Sequence, residues 1–409
     1  MKRVVLGPSL WLANANAPGT RRASYPRQRG NVETDICVVG GGLAGCATAF
    51  GLAVTGVRVL LIERDKIGSQ GVAASLGILG QEPVASYLDY ESTYGRRAAR
   101  ETWTLWRRAM LDAAALLRRL KVSCHLNVCD GLRMTGACHD TARLRRERAA
   151  RKAVRFDAGW LEAERLRRET HVEGSVALRT RGDYQLDPYR ACLGLARASA
   201  KHGALLYERS PALRIRPVAT GVVVTTERGT IRANRVVVAT GIPTPLFRSL
   251  SRHLKVVHTY AVSLARLAAK TRAALLSPGL LMHDGDVPPH TLRWTHDHQL
   301  VFGGADQAPP PIRRREGVLV QRAGQLMYEL STIYPIISGI QPEHAWHREV
   351  ASAADGLPIV GPHRNYPRHL FALGSGKSDI TAAFLAARIL CRTLRGESTA
   401  VDERLGFHR

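Results

Sequence analysis

Residues 36–57 carry no charged side chain, although the chain as a whole is rich in arginine. The β-branched, apolar run at 35–39 predicts a buried parallel strand, and the small residues at 46–53 predict a helix. A glycine-rich turn separates them, and a second apolar run at 57–62 predicts another strand. This order is typical of an α/β fold with a parallel sheet. The stretch is about as long as a membrane-spanning helix, but its glycines argue against one, so we expect no transmembrane span.

Periodicity further along the chain predicts alternating helices and short strands. We expect helices at 96–120, 140–154, 158–170, 188–202, 313–333 and 380–394. We expect strands within 122–138 and at 204–207, 211–216, 221–227, 230–238, 256–267, 290–295, 299–303 and 370–373. One helix start is well marked, because Asp187 can cap it and Pro188 suits its first position. The composition of 251–345, with more His, Pro and Trp, indicates a separate antiparallel sheet.

The first glycine turn has the spacing of a dinucleotide-binding motif. Gly40 suits the tight turn, Gly42 lets the backbone approach a pyrophosphate, and Gly45 allows the helix to pack closely on the strand. The helix N-terminus offers free N–H groups and a positive dipole to phosphates. Glu63, at the end of the second strand, can accept hydrogen bonds from ribose hydroxyls. Because the turn has its full structural context, we predict a bound dinucleotide.

Three further stretches can bring backbone close to such a cofactor. Residues 68–80 form a loop of glycines and small residues, whose lack of bulk suits close contact with a ligand. A strand ending at 238 opens into the small-residue turn Ala239-Thr240-Gly241. Residues 374–378 form a second glycine turn before a helix, again with free N–H groups at the helix start.

The formal net charge is +25, and most of the 59 basic residues are arginine. One interpretation is a solvated basic surface; the other is an acidic substrate, a membrane surface or nucleic acid. No basic cluster with interleaved aromatic residues stands out, so nucleic acid is disfavoured without being excluded. Seven cysteines in so long a chain argue against a disulfide framework and for a reducing compartment. We therefore expect a soluble, cytoplasmic protein.

Two other features receive structural rather than chemical interpretations. Cys124-His125, Cys129 and Cys138-His139 are close in sequence, but they lack the CxxC spacing of a zinc site, so we expect no metal. Residues 1–32 contain no acidic residue and lack a secretory cleavage pattern. We expect them to form an extended arm that lies over the body of the protein.

Taken together, the motifs resemble those of the D-amino-acid oxidase-like FAD-dependent oxidoreductases, and within them the glycine oxidase, sarcosine oxidase and γ-glutamylputrescine oxidoreductase group. The likeness runs from about Ser9 to Leu394. It is carried by Gly40–Gly45 with Glu63, the loop 68–80, Asp187-Pro188, Ala239-Thr240-Gly241, Gly303-Gly304-Ala305-Asp306, Trp346, 355–361 and Gly374–Thr381. The order and spacing of these motifs match the family pattern, so jointly they are specific.

The resemblance implies an α/β fold in which a Rossmann-like FAD-binding domain is interleaved with an α+β substrate domain built on an antiparallel sheet. The expected FAD-binding segments are 33–95, 180–250 and 350–409, and the substrate segments are 96–179 and 251–349. No cysteine lies near the positions that link flavin in the family, so FAD is expected to bind non-covalently.

The resemblance also implies which residues contact FAD. They are Gly40, Gly42, Leu43, Ala44, Gly45, Glu63, Arg64, Ser69, Gln70, Ala74, Ser75, Leu213, Ala239, Thr240, Gly241, Gly374, Ser375, Gly376, Lys377 and Ser378. Lys377 falls where the family likeness places a cation near a substrate carboxylate or the flavin carbonyl. A surface cation at a helix start explains it equally well.

The candidate substrate residues are Tyr260, His290, Arg293 and Arg348. The first three lie in the predicted antiparallel sheet, where a buried aromatic or hydrogen-bonded role explains each of them at least as well. Arg348 follows Trp346 where the family often has glycine, and Val350 replaces the arginine that grips a substrate carboxylate. The loop at 71–78 and the turn at 374–379 also depart from the family pattern.

Three functional hypotheses remain. The preferred one is an FAD enzyme that oxidises a C–N bond of a small amine or amino acid by hydride transfer to flavin. In the second, the departures have abolished turnover, and the chain serves as a subunit or binding protein. In the third, the basic charge serves a flavoenzyme acting on an aminomethyl group of transfer RNA. A partner subunit or a separate electron acceptor is compatible with the first two.

Overall fold

A computed structural model of the chain describes residues 4–16, 22–83, 85–135, 140–173, 176–284 and 289–409. The strands are β1 (Val5–Leu6), β2 (Gly30–Val39), β3 (Val59–Ile62), β4 (Ile78–Leu79), β5 (Asn127–Met134), β6 (Gly159–Leu161), β7 (Ala177–Gln185), β8 (Leu205–Tyr207), β9 (Arg214–Val218), β10 (Gly221–Thr225), β11 (Gly229–Gly241), β12 (Lys255–Ser263), β13 (Leu280–His283), β14 (Thr291–Trp294), β15 (Leu300–Gln307), β16 (His344–Ser352), β17 (Ile359–His363) and β18 (Tyr366–Leu373).

The α-helices are α1 (Leu10–Ala13), α2 (Leu43–Ala53), α3 (Tyr87–Tyr94), α4 (Arg96–Arg119), α5 (Thr141–Ala153), α6 (Ala163–Thr170), α7 (Pro188–Lys201), α8 (Ala269–Ala273), α9 (Arg315–Ile333), α10 (Asp379–Arg395) and α11 (Ala400–Glu403). Short 3-10 helices lie at Asn14–Asn16, Pro245–His253, Ile312–Arg314 and Pro335–Ile337. Within the described residues, no helix is both long enough and apolar enough to cross a membrane.

The first sheet has the strand order β17-β18-β11-β2-β3-β8, and β10 and β9 extend from β11. β18, β11, β2, β3 and β8 run parallel to one another. The buried parallel strand predicted at 35–39 is confirmed, but β2 begins earlier, at Gly30, because its first half pairs with the long strand β11. Residues at the end of the predicted arm therefore belong to this sheet.

Helices α2, α4, α7 and α10 pack together on one face of the first sheet. The predicted apolar stripe of α4 is confirmed as core, since Trp103, Trp106 and Met110 are buried. α4 packs against α10, so the segment 96–119 shares its core with the nucleotide-binding half. The predicted start of α7 is also confirmed, because the Asp187 side chain accepts a hydrogen bond from the Arg190 N–H.

The second sheet is mostly antiparallel, with the order β1-β16-β12-β15-β14-β13-β5-β7-β4, and β6 pairs with β7. Helix α9 covers it through Leu319, Leu326 and Leu330. The single helix predicted at 158–170 is wrong in its first part. Residues 159–161 instead form β6, because they pair in antiparallel fashion with the edge of β7 that β5 does not occupy. The sheet therefore provides a broad wall that faces the first half of the molecule.

Candidate active site

The two glycine turns lie side by side at one edge of the first sheet. β2 and β18, which lead into the turns, are both parallel neighbours of β11, so the carboxyl ends of all three strands meet there. A Cβ atom on Gly40 would lie 2.6 Å from the Ala239 carbonyl oxygen on β11. On the other side, the Gly374 N–H donates to the Gly241 carbonyl oxygen over 2.8 Å. Turns far apart in sequence are thus separated by one strand, whose end includes Thr240.

The early turn has the shape of a phosphate cradle. Gly40 has a φ of +114°, and a Cβ on Gly45 would overlap the Gly40 carbonyl oxygen, so both positions require glycine. At Gly42, by contrast, the nearest atom to an added Cβ is a Val72 methyl group 3.7 Å away. No side chain caps α2, whose first N–H groups therefore remain available to a ligand. This open backbone surface fits the pyrophosphate of a dinucleotide.

Glu63 stands directly beside this turn. Its two carboxylate oxygens accept hydrogen bonds from the N–H groups of Gly41, over 2.6 Å, and Asp65, over 2.9 Å. Burial raises the pKa of its carboxyl group. Each oxygen keeps a lone pair for a further donor, so the side chain can also accept from a ribose hydroxyl.

The other predicted residues of the nucleotide half lie around Glu63. Leu43 and Ala44 form the first turn of α2. Arg64 is exposed, Ser69 Oγ donates to the Lys66 carbonyl oxygen, and the Gln70 amide donates to Asp65. Leu213 is 52% exposed and lies beyond Ser210, whose N–H donates to the Glu63 carbonyl oxygen. The structure thus gathers these positions on one side of the early turn.

The loop 68–80 is held by side chains from distant parts of the chain. Ser9 Oγ donates to the Ala73 carbonyl oxygen. The Trp346 indole N–H donates to the Ala74 carbonyl oxygen over 3.0 Å. The first contact comes from the N-terminal arm and the second from β16, so both halves of the molecule fix the loop.

Arg293 and Trp11 hold the next part of the loop. The Trp11 indole N–H donates to the Ser75 carbonyl oxygen over 2.8 Å. Arg293 donates to the Gly77 carbonyl oxygen over 2.9 Å and to that of Leu186 over 3.3 Å, and its guanidinium lies 5.1 Å from the Trp11 ring centre. Arg293 is 2% exposed, and burial lowers its pKa to about 10. The structure therefore places this predicted substrate residue behind the cavity wall, where it braces the loop.

The late turn begins α10 and joins the same loop. Gly374 and Gly376 both have positive φ, and the Gly376 N–H donates to the Ala351 carbonyl oxygen. Ser375 forms an isolated bridge with Ser352, so the turn is fixed against β16. Its last residue, Ser378, faces the cavity described below.

Arg348 and Asp379 connect the late turn to the loop. Their side chains are 2.5 Å apart, and Ser75 Oγ donates to the other Asp379 oxygen over 3.0 Å. Burial raises the Asp379 pKa, and Arg348 partly offsets that effect. Arg348 reaches the cavity wall with its charge already paired.

Lys377 makes a second ion pair at the same wall. Its Nζ lies 2.9 Å from Asp306 Oδ2 on β15 and donates to the Pro289 carbonyl oxygen over 3.2 Å. The predicted alternative of a solvated surface cation does not describe this contact, because the side chain is drawn to the second sheet. Lys377 therefore connects the late turn to that sheet.

A cavity of about 1050 Å³ lies between the two halves. One side is formed by the loop, through Ala74, Leu76 and Ile78, and by Lys377 and Ser378 of the late turn. The other side is formed by the second sheet. Of the predicted substrate residues, Tyr260, His290 and Arg348 line the cavity, whereas Arg293 does not.

His290 and Tyr260 are fixed by hydrogen bonds on the cavity wall. His290 Nδ1 lies 2.7 Å from Asp284 and Nε2 lies 3.0 Å from Glu329, while its ring stacks on Phe302. The Tyr260 hydroxyl accepts a hydrogen bond from the Gln307 amide over 2.8 Å, and burial raises its pKa. These side chains are positioned before any substrate arrives.

Sequence reasoning missed the carboxylates at the far end of the cavity, which include the half-buried Glu82 and the buried Asp183. Asp183 lies on β7, a strand that the sequence patterns did not predict. Glu82 lies in a loop with no motif to mark it.

Within the described residues, no group of three possible metal-ligating side chains occurs, and the expectation of no metal stays a prediction. Cys124 and Cys129 are buried, and Cys138-His139 lies outside the described residues. The His125 ring stacks on the His296 ring. No described cysteine lines the cavity, in keeping with a flavin held without a covalent bond.

Known proteins share this architecture. γ-Glutamylputrescine oxidoreductase from Escherichia coli (strain K12) is 24% identical over 410 residues, which covers 96% of this chain and 90% of that protein. Glycine oxidase from Bacillus licheniformis is 24% identical over 377 residues, covering 90% and 95%. The crystal structure of glycine oxidase from Geobacillus kaustophilus superimposes with a TM-score of 0.75 at 20% identity, covering 92% of this chain and 99% of that one.

The agreement extends to a family-wide sequence pattern. The family described as FAD dependent oxidoreductase (DAO) matches residues 35–393, which include both glycine turns, the loop and the cavity-lining strands of the second sheet. The mixed α/β fold and the glycine cradle described above are consistent with that match. The chain belongs to the DAO family of FAD-dependent oxidoreductases.

Proposed function

We propose that this enzyme oxidises a C–N bond of a small amine or amino acid. The observation that carries the proposal is the cavity, which is bounded by the flavin-binding loop and late turn on one side and by polar side chains of the second sheet on the other. A substrate held there would have its reacting carbon beside the cofactor. FAD supplies a two-electron acceptor for the hydride that leaves this carbon.

The chain's own residues have separate tasks in this proposal. Gly40–Gly45 and Glu63 would hold the ADP half of FAD without a covalent bond. Residues 69–75 and 374–378 hold the flavin half. The free N–H groups at the start of α10 would favour negative charge on a flavin ring bound beside them, as any helix N-terminus does.

The remaining cavity residues shape the substrate's environment. Leu76, Ile78 and Trp346 provide apolar surface that excludes water. Tyr260 and His290 present fixed polar atoms for substrate hydrogen bonds. A neutral amine needs no general base for hydride loss, and none is assigned.

The second hypothesis, a protein without turnover, has one supporting observation. Arg348 and Lys377, two predicted site cations on the cavity wall, are both paired with internal acids. A carboxylate substrate would have to displace those acids. No observation supports the transfer RNA hypothesis.

Anaerobic flavin reduction distinguishes an enzyme that oxidises amines from a protein without turnover. Purified holoenzyme is mixed with amino acids, N-methyl amino acids, monoamines and polyamines, and the flavin absorbance is followed. We expect loss of the oxidised-flavin band with at least one class, followed by recovery when an electron acceptor is admitted. A flavin that dithionite reduces but that no amine bleaches would favour the protein without turnover.

A further inference from the structure

The cavity has the opposite charge balance from the molecule as a whole. The chain carries a formal charge of +25. Among the described residues, however, seven carboxylates and only four arginine or lysine side chains line the cavity. An acidic cavity in a basic protein is not explained by general composition.

Every one of these four cations already has a carboxylate partner among the described residues. The pairs are Arg133 with Glu82 at 3.3 Å, Arg143 with Asp89 at 2.7 Å, Arg348 with Asp379 at 2.5 Å and Lys377 with Asp306 at 2.9 Å. Glu82 is also held by Arg151, a buried arginine behind the wall. Among the described residues that line the cavity, no arginine or lysine is therefore left uncommitted for a substrate anion.

Asp183 is not paired with an arginine, lysine or histidine side chain among the described residues. It is 6% exposed, and its Oδ1 accepts two hydrogen bonds from Gln81, through the backbone N–H at 2.9 Å and the side-chain amide at 3.2 Å. Its Oδ2 has no hydrogen-bond donor among the described residues. That oxygen lies across Gly131, where a Cβ would come within 2.7 Å of it, and both residues face the cavity. Because Asp183 lines the cavity and no protein donor reaches its Oδ2, that oxygen can accept a hydrogen bond from a ligand in the cavity.

We propose that Asp183 binds a second ammonium group of the substrate, so that the enzyme's substrates are diamines or polyamines rather than α-amino acids with a free carboxylate. The inference rests on the proposed function, since it names the substrate class of the same cavity. An ammonium brings both the positive charge and the N–H donor that Oδ2 lacks. The amine to be oxidised lies at the flavin end, and the second amine lies at the Asp183 end.

A metal ion is a poorer occupant of this end. Cations such as Ca²⁺ and Mg²⁺ require several oxygen ligands, and no group of three possible ligands occurs within the described residues. The acids near Asp183 are instead engaged by arginines. The single Asp183 oxygen beside the cavity, Oδ2, suits one ammonium group.

The test compares amines of equal chain length with and without the second amino group. Holoenzyme is titrated anaerobically with 1,4-diaminobutane and butylamine, with spermidine and glycine as further probes. Binding is also measured by calorimetry on dithionite-reduced holoenzyme, which cannot oxidise the amine. We expect the diamine to bind about tenfold or more tightly than the monoamine and to reduce the flavin at lower concentration.

The variant Asp183→Asn removes the negative charge and keeps the shape. We expect it to lose the preference for diamines while its affinity for butylamine stays within about twofold. Asp35→Asn is the matched control, because Asp35 lies on the first sheet in an exposed pair with Arg58. It should keep the preference for diamines.

The outcomes separate this inference from the proposed function. Equal binding of diamine and monoamine, or an unchanged preference in Asp183→Asn, overturns the inference, even if glycine or butylamine reduces the flavin. Binding of diamines that depends on Asp183, with no reduction by any amine, supports the inference and overturns the proposed function. The wild-type comparison stands even if the variant fails to fold.

Discussion

The flavin-side wall of the cavity and its far wall are built in opposite ways. On the flavin side, the carbonyl groups of the loop 73–77 are held by Ser9, Trp11, Trp346 and Arg293. On the far side, Asp183 lines the cavity, and its Oδ2 has no hydrogen-bond donor among the described residues. On the first wall, side chains of the protein satisfy the hydrogen-bonding groups of the loop. On the second wall, a carboxylate oxygen can accept a hydrogen bond from a ligand. Removing a group should therefore have opposite effects on stability at the two walls.

The largest effect is expected at the early turn. Gly45→Ala would push a methyl group into the Gly40 carbonyl oxygen and force α2 away from β2. We expect FAD affinity to fall at least about 100-fold, equivalent to about 3 kcal/mol. Flavin fluorescence during titration of apoprotein measures it. Gly317→Ala in α9 is the control, since its Cβ would meet no atom within 4 Å. Tight FAD binding by Gly45→Ala would show that the turn does not need this close contact.

A smaller loss is expected when the loop brace is cut. Arg293→Met removes the side-chain donor from both carbonyl oxygens, which leaves Gly77 with only the Leu186 N–H, and should cost roughly 2–4 kcal/mol of unfolding free energy. Denaturant unfolding of the holoenzyme measures this, and the FAD content of the purified variant should fall. Exposed Arg266→Met should change stability by less than about 0.5 kcal/mol. If Arg293→Met instead raises the Michaelis constant alone, with stability and FAD content unchanged, the arginine contacts substrate after all.

The opposite sign is expected for Asp183→Asn. Burial first, and then the charge of Glu82, raise the Asp183 pKa to about 7 in the folded protein, against an ordinary value of 3.8. Below pH 4 the group is protonated in both states, so it adds no penalty. As the pH rises towards 7 only the unfolded state releases the proton easily, so the folded state loses relative stability, and the penalty is complete above pH 7.

Since one pKa unit corresponds to about 1.4 kcal/mol, we expect ligand-free Asp183→Asn to be more stable than wild type by about 1–3 kcal/mol at pH 8. The difference should vanish near pH 4. Thermal unfolding across this pH range measures it, and Asp35→Asn serves as the control. A variant less stable than wild type at pH 8 would mean that Asp183 is a satisfied structural group, and the contrast between the two walls would fail.

Local patterns were enough to predict the framework. The glycine spacing at 40–45, the capped start at Asp187 and the apolar stripe of α4 each depend on neighbours within a few turns of chain, and each is seen in the structure. Their joint order predicted the family and the mixed α/β fold. The predicted FAD contacts lie around the two turns, and their individual roles stay predictions.

The site chemistry was harder to predict because its partners are remote in sequence. Arg293 looked like a substrate residue, but its acceptors lie 216 and 107 positions away. Asp183 sits on β7, a strand whose alternating arginines hide the burial of every second residue. The break of the predicted helix 158–170 likewise depends on a free edge of β7. The pattern of apolar and polar residues along the sequence does not show which remote residues come into contact.

The parallel pairing of β1 with β16 has a consequence for biosynthesis. Ser9 and Trp11 follow β1 directly, so their grip on the loop depends on a strand that the ribosome makes some 340 residues later. Contacts of such long sequence separation form slowly. We therefore expect the loop to lack this brace until β16 has been translated.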